Sequence, residues 1–467
     1  MLKLLAVAEW IEHSLPRGRA GQLDWAALAR SAAQLSLTMT VFCAPFRYRW
    51  TIFTQEIPRV YGDYTNGLFF LHDVFLITTL LLWSISLLLH PRRITLGPLV
   101  LSLPLAGLAL AGVVSTIFSI DTRLSAYHLI RLVFMAGLYL YIVNEIRGLG
   151  VLIWGVAGGL FVQASVGVAQ VLAQHDLGLQ RLGEYALDPA WSGVSIVWAE
   201  GARSLRAYGL TDHPNILGGL LTFSLILLVT WGVTTQSKSS TIIAGLFSLG
   251  SLALLLTFSR SAWLALAAGF LLAGVLSGWT RQKQALSRGL MLILSGMIVI
   301  APVVWESSVY LGARLNANHS FDQISFESRS LSERVELNAY ANQIFAANAV
   351  TGVGLGVFPL ALRQIQPDLT FDYQPPHMVM LEAAAETGLF GALFYMLAVI
   401  GPWPAMWLNR KRLTFSPTLI GACALLLAVT VVGLFDYYPW LLAPGRFWQW
   451  LAWGLWAAFY QASLHRV

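Results

Sequence analysis

Charge is scarce in this chain. Of 467 residues only 11% are Asp, Glu, Lys or Arg, while 57% are hydrophobic; a soluble domain carries about 25% charged residues. That excludes an ordinary soluble globular protein and points to a polytopic integral membrane protein. Cysteine is scarcer: Cys43 and Cys423 both lie in apolar segments and read as small packing residues, with no disulfide framework or cysteine metal site. There is no Asp-x-Asp, His-Glu-x-x-His or EF-hand pattern, so no metal and no cofactor is expected. No basic run exceeds Arg410-Lys411-Arg412. The net charge of +6 is therefore assigned to contacts with membrane lipids rather than to nucleic acid. No cleavable signal peptide is visible, because Trp10, Glu12 and Trp25 interrupt any apolar core near the start.

What is present is a series of apolar runs. A spanning helix needs about 20 mostly apolar residues. By that rule the runs near 29–46, 67–89, 95–118, 125–143, 150–173, 215–233, 240–257, 261–279, 288–306, 378–407, 416–434 and 447–463 are spans. The tenth is long and is expected to start as a helix outside the membrane. The fold class is all-α: a membrane helical bundle of about 12 transmembrane helices, with a large extracytoplasmic loop containing helices between spans nine and ten. Residues 1–467 are read as a single integral membrane domain, with 307–377 as its loop subregion.

Lysine fixes the orientation. The four lysines, Lys3, Lys238, Lys283 and Lys411, all fall in the N-terminal tail or in loops after even-numbered spans, as do Arg92, Arg93, Arg281, Arg288, Arg410 and Arg412. Positive charge in short loops marks the cytoplasmic side, so both termini are expected there, in an inner (plasma) membrane. The opposite side lacks lysine but holds Arg203, Arg206, Arg260, Arg314, Arg329, Arg334, Arg363 and Arg446. A planar guanidinium grips phosphate or carboxylate in a way that lysine cannot, so the outer face is expected to handle an anion. Two outer loops, 174–214 and 307–377, are long, and function concentrates in such loops; the others are short.

Five stretches on this face carry candidate chemistry. RSLRAYGLTDHPNILGG, residues 203–219, holds Arg203, Arg206, His213 and Asn215 at a helix start. LLLTFSRSAWLALAAG, residues 254–269, puts Arg260 at the mouth of a helical hairpin among small and hydroxylic neighbours; a guanidinium at that depth is a functional hypothesis by default. Ser330 and Glu333 form a capping-box pattern that predicts a helix over 331–349, followed by the tight glycine turn TGVGLGVF. In QPPHMVMLEAAAETGLFG, residues 374–391, His377 precedes a helix, whose positive dipole end favours the neutral imidazole a general base needs. Glu382 and Glu386 share one face there, and Glu386 is a candidate brace or site residue. The fifth, FDYYPWLLAPGR, is residues 435–446; its aromatics are expected in the interfacial belt, and aromatic faces also suit sugar rings. His72 and His128, near span ends, read as packing residues.

Taken in order over residues 203–446, these five stretches resemble the O-antigen ligase and polymerase superfamily, including the lipopolysaccharide O-antigen ligases. The resemblance implies a helical membrane glycosyltransferase whose donor is a glycan on undecaprenyl diphosphate and whose acceptor is a lipid- or glycan-type hydroxyl, with neither nucleotide sugar nor metal. It implies that Arg206 and Arg260 bind the diphosphate, that His377 is the base, and that Arg334 holds a family position on the loop helix. Family members usually carry Asn after the histidine; here it is Met378. A polysaccharide polymerase stays open, since both activities use the same donor chemistry. So does a small-anion transporter, because relatives have been described as bicarbonate transporters.

Overall fold

The computed structural model describes residues 24–199, 201–235, 240–315 and 321–464, the side chains of 240 and 321–331 excepted. The features at Lys3, Trp10, Glu12 and Lys238, and the Arg329 and Ser330 side chains, lie outside what is described.

Each of the twelve predicted runs contains a helix, although 67–70 in the second form a strand and the tenth holds two helices. The first half comprises α1 (Trp25–Cys43), a hairpin of β1 (Arg49–Phe53) and β2 (Gly67–Phe70) enclosing the single turn α2 (Gly62–Thr65), then α3 (Leu71–Leu89), α4 (Leu99–Ile117), α5 (Thr122–Glu145) and α6 (Gly150–Ala173). A second hairpin, β3 (Ile196–Ala199) with β4 (Ala202–Leu205), precedes α7 (Pro214–Thr234), α8 (Ser240–Leu256), α9 (Arg260–Trp279) and α10 (Lys283–Glu306). The long loop holds α11 (Ser308–Arg314), α12 (Phe321–Ala347) and α13 (Phe358–Ile365). Then come α14 (Val379–Ile400), α15 (Pro402–Leu408), α16 (Pro417–Gly433) and α17 (Ala443–Ser463). Among the described residues eight helices, α3–α7, α9, α10 and α14, are long and apolar enough to cross a membrane; α8 and α16 are shorter apolar helices. Apolar side chains on all sides put α7 at the centre, with 78% of its most apolar window buried, whereas α10 has only 6%. The exposed faces carry Leu88, Trp154, Leu172, Ile298 and Trp305, as lipid-facing surface requires.

Helix starts follow the chemistry of their first residues. Pro214 and Pro417 open α7 and α16, where a missing N–H costs nothing. Asp121 and Ser416 accept from the backbone N–H of Leu124 and Leu419. Two sequence expectations are corrected. The loop helix begins at Phe321, ten residues before the predicted 331, because no Gly or Pro interrupts 321–347; the Ser330 pattern lies inside it. The tenth run is two helices rather than one: α14 starts at Val379, and Pro402 opens the separate α15.

The kink in α14 explains the glycine turn. Gly388 sits at φ +70°, which breaks the helical ladder at a depth where backbone groups must be satisfied from within the protein. The turn over 352–356 supplies the partners. Val353 N and Gly354 N donate to the Ala385 and Glu386 carbonyls at 3.0 and 3.1 Å, and Leu389 N donates back to Ala349 O at 2.7 Å. A Cβ on Gly352 would stand 2.1 Å from Glu386 O, so the close approach requires glycine. Above the bundle a second apolar cluster, including Tyr64, Leu337, Ile344, Phe358, Tyr373 and Leu441, fastens α12 and α13 to the loops around 60 and 440.

Candidate functional site

The loops at one end of the bundle enclose a cavity of about 400 Å³, within the usual range for ligand pockets. It draws on four segments. Residues 47–64 give Arg47, Tyr61, Asp63 and Tyr64; the 174–214 loop with the start of α7 gives Asp212, His213 and Asn215; the long loop gives Glu333, Arg334, Gln374 and His377; and the α16–α17 turn gives Asp436, Tyr437 and Tyr438.

His377 lies two residues before α14, as the proline pair predicts. Its ring meets Tyr437 edge-on at 5.2 Å, and Tyr437 in turn packs against Tyr64 at 5.9 Å. Nδ1 is buried and has no hydrogen-bond partner among the described residues. Burial first, and the Arg334 guanidinium second, lower the His377 pKa from 6.5 to about 3. The imidazole is therefore neutral at physiological pH, held so by desolvation and a like charge.

His213 is the N-cap of α7, its Nδ1 accepting from Asn215 N at 3.1 Å. That bond leaves the proton on Nε2, a neutral donor. Burial, then Arg206 and Arg334, hold its pKa well below the ordinary value. The Asn215 amide is fixed from both sides: Oδ1 accepts from Arg206 Nη2 at 2.7 Å, and Nδ2 donates to Asp436 Oδ2 at 3.2 Å. Burial raises the Asp436 pKa, against the opposing pull of Arg334 and Asn215.

The predicted arginines separate. Arg334 lines the cavity, half-buried, with no hydrogen bond or ion pair to a described residue. Arg206 is buried behind the wall, where Nε donates to Thr257 O and Nη1 to Ser195 Oγ, both at 2.7 Å. Arg260 begins α9, exposed and outside the cavity lining; its Nη1 donates to Arg314 O at 3.4 Å, and Arg314 Nε donates to Phe258 O at 3.0 Å. Phe258 has φ +49°, a strained position for a bulky residue, and these arginine bonds hold the strained α8–α9 turn. Arg203 lies over the Trp198 ring and donates to Pro189 O and Ala190 O, bracing its own loop. Glu386 is fully buried and accepts from Trp440 Nε1 at 2.8 Å and Phe358 N at 3.4 Å; it braces the glycine turn and does not line the cavity. Arg446 is spent on Trp440 O and Leu441 O.

Sequence reading passed over the 44–66 loop. Arg47 pairs with Asp212, and Arg49 bridges Asp63 at 2.5 Å and Asp212 at 3.3 Å, locking this loop to the one before α7. The density of Arg and Tyr in FRYRW was the available signal. Asp436 lies just after α16, and its bond to Asn215, across 221 residues, has no local signature.

The arrangement can hold an anion at Arg334, present aromatic faces to rings, and receive a proton at His377. Comparison with known families agrees: residues 243–396, a third of the chain, match the family model described as O-antigen ligase. The match runs from α8 into α14 and includes Arg260, Arg334, His377 and Glu386. No curated protein sequence matches the chain. The resemblance read from the sequence is thereby supported over that third of the chain.

Proposed function

We propose that the cavity transfers a glycan from an undecaprenyl-diphosphate donor to an acceptor hydroxyl, on the extracytoplasmic face of the inner membrane, with both termini cytoplasmic. The observation that carries the reading is the meeting of a neutral His377 with Arg334 in one tyrosine-lined cavity, both within the segment that matches the O-antigen ligase family.

The acceptor oxygen attacks the anomeric carbon and gives its proton to His377. The bond from that carbon to the diphosphate oxygen breaks, and the lipid diphosphate departs with the electron pair. A single displacement inverts the anomeric centre. Arg334 stabilises the charge that grows on the leaving group, a donor fixed before the reaction starts. The same charge offsets the Arg334 charge that lowers the His377 pKa, so donor binding itself raises the basicity of the imidazole toward the range useful for catalysis. His213 Nε2 and Asn215 are placed to bond sugar hydroxyls. Arg206 acts through Asn215 as a positioning residue. Arg260 and Arg203 lie outside the cavity lining and brace the loops beside it.

The test is glycan transfer by the purified full chain in liposomes with a lipid-linked donor. His377→Ala and Arg334→Ala each abolish most transfer on this reading. Full transfer by both variants would overturn it, and uptake of labelled bicarbonate without glycan transfer would favour a small-anion transporter. Growth of the donor glycan itself, rather than capping of a separate acceptor, would identify a polymerase.

A further inference from the structure

A larger cavity, about 720 Å³, lies at the other end of the bundle, where α1, α3, α5 and α17 end beside the loops at 90–98 and 409–416. Among the described residues its lining holds five arginines, Arg30, Arg92, Arg93, Arg147 and Arg412, and one carboxylate, Glu145. Glu145 is buried and already saturated: Arg30 Nε donates at 2.6 Å, Arg92 Nη2 at 2.8 Å and Trp83 Nε1 at 2.9 Å. One acid balances one of these cations. The Arg93 and Arg412 side chains form no hydrogen bond or ion pair with a described residue, and both are exposed.

An excess of guanidinium groups in a concave site calls for an anion, and paired planar donors favour phosphate. The setting identifies its source. Leu87, Ile94 and Leu464 share the lining, and Leu88, Leu89, Ile94 and Leu96 beside Arg92 and Arg93 are exposed apolar residues. Exposed leucines next to arginines mark the level at which acyl chains give way to headgroups. We propose that this basin binds the headgroup phosphate of an anionic phospholipid, with Arg93 and Arg412 as its ligands and Glu145 holding Arg30 and Arg92 in place behind them. The site is separate from the tyrosine-lined cavity and independent of the reaction performed there.

Native mass spectrometry of the purified full chain, titrated with phosphatidylglycerol, phosphatidylethanolamine or inorganic phosphate, tests this. The expected result is retention of phosphatidylglycerol at least about fivefold more strongly than phosphatidylethanolamine. The pair Arg93→Gln and Arg412→Gln brings the two lipids to within about twofold, while Arg410→Gln with Lys411→Gln, outside the lining, leaves the preference intact. Should the first pair fail to fold, Arg93→Gln alone, at an exposed loop position, is read in its place. Equal retention of both lipids, a wild-type preference in the lining variants, or an equal loss in the control pair overturns the proposal. Complete displacement of phosphatidylglycerol by millimolar inorganic phosphate overturns the lipid assignment and makes the site one for free phosphate.

Discussion

The two ends of the bundle use arginine in different ways. Where the tyrosine-lined cavity lies, most guanidinium groups are occupied by the protein: Arg206 by Thr257, Ser195 and Asn215, Arg446 by two carbonyls, Arg47 and Arg49 by Asp212 and Asp63. One, Arg334, faces the cavity without such a partner among the described residues. At the other end the described lining holds five arginines and one carboxylate, which bonds only Arg30 and Arg92 among them. Counting arginines therefore does not locate chemistry. A guanidinium with its donors filled is a bracket for the backbone, and only one whose donors remain available can bind a ligand.

The largest effect that sharpens this contrast is expected at His377. Loss of a general base costs about 10²–10⁴-fold in rate, so His377→Ala is expected to reduce kcat by that range in a donor-to-acceptor transfer assay with the fold intact by circular dichroism. Arg334→Ala is expected to lower kcat/KM by about 10²-fold, with partial recovery in Arg334→Lys. Arg260→Ala, outside the lining, should cost less than a tenth of that; a larger loss at Arg260 than at Arg334 would break the comparison. Arg206→Ala removes a filled bracket and leaves Thr257 O buried without its donor. It is expected to cost about 2–3 kcal/mol of stability, read as a lowered Tm in detergent. Gly388→Ala forces a side chain into φ +70° against Val350 O and should cost about 1–3 kcal/mol.

The same contrast carries a pH dependence. His377 is neutral in the folded protein down to about pH 3, while the unfolded chain takes up a proton near 6.5. The unfolded state thus binds more protons between those values, so stability is complete above pH 6.5 and falls as pH drops toward 3, by at most about 1.4 kcal/mol per pH unit for this group. His213 acts in the same direction. His377→Gln should flatten part of that acid limb in a Tm-versus-pH series.

The sequence by itself determined the helices and the neighbourhood of the site. Apolar runs are local, so every predicted span has its helix, and Pro375-Pro376 ahead of an apolar stretch was enough to put His377 at a helix start. The early start of α12 was missed because a Ser-x-x-Glu pattern looks the same at a cap and on a polar helical surface. Tertiary structure alone decided which charges are spent and which are left to act. The bonds that settle it join Arg206 to Thr257 and Asn215 to Asp436, residues far apart in the chain, and the direction in which a guanidinium points depends on such partners rather than on its neighbours in sequence.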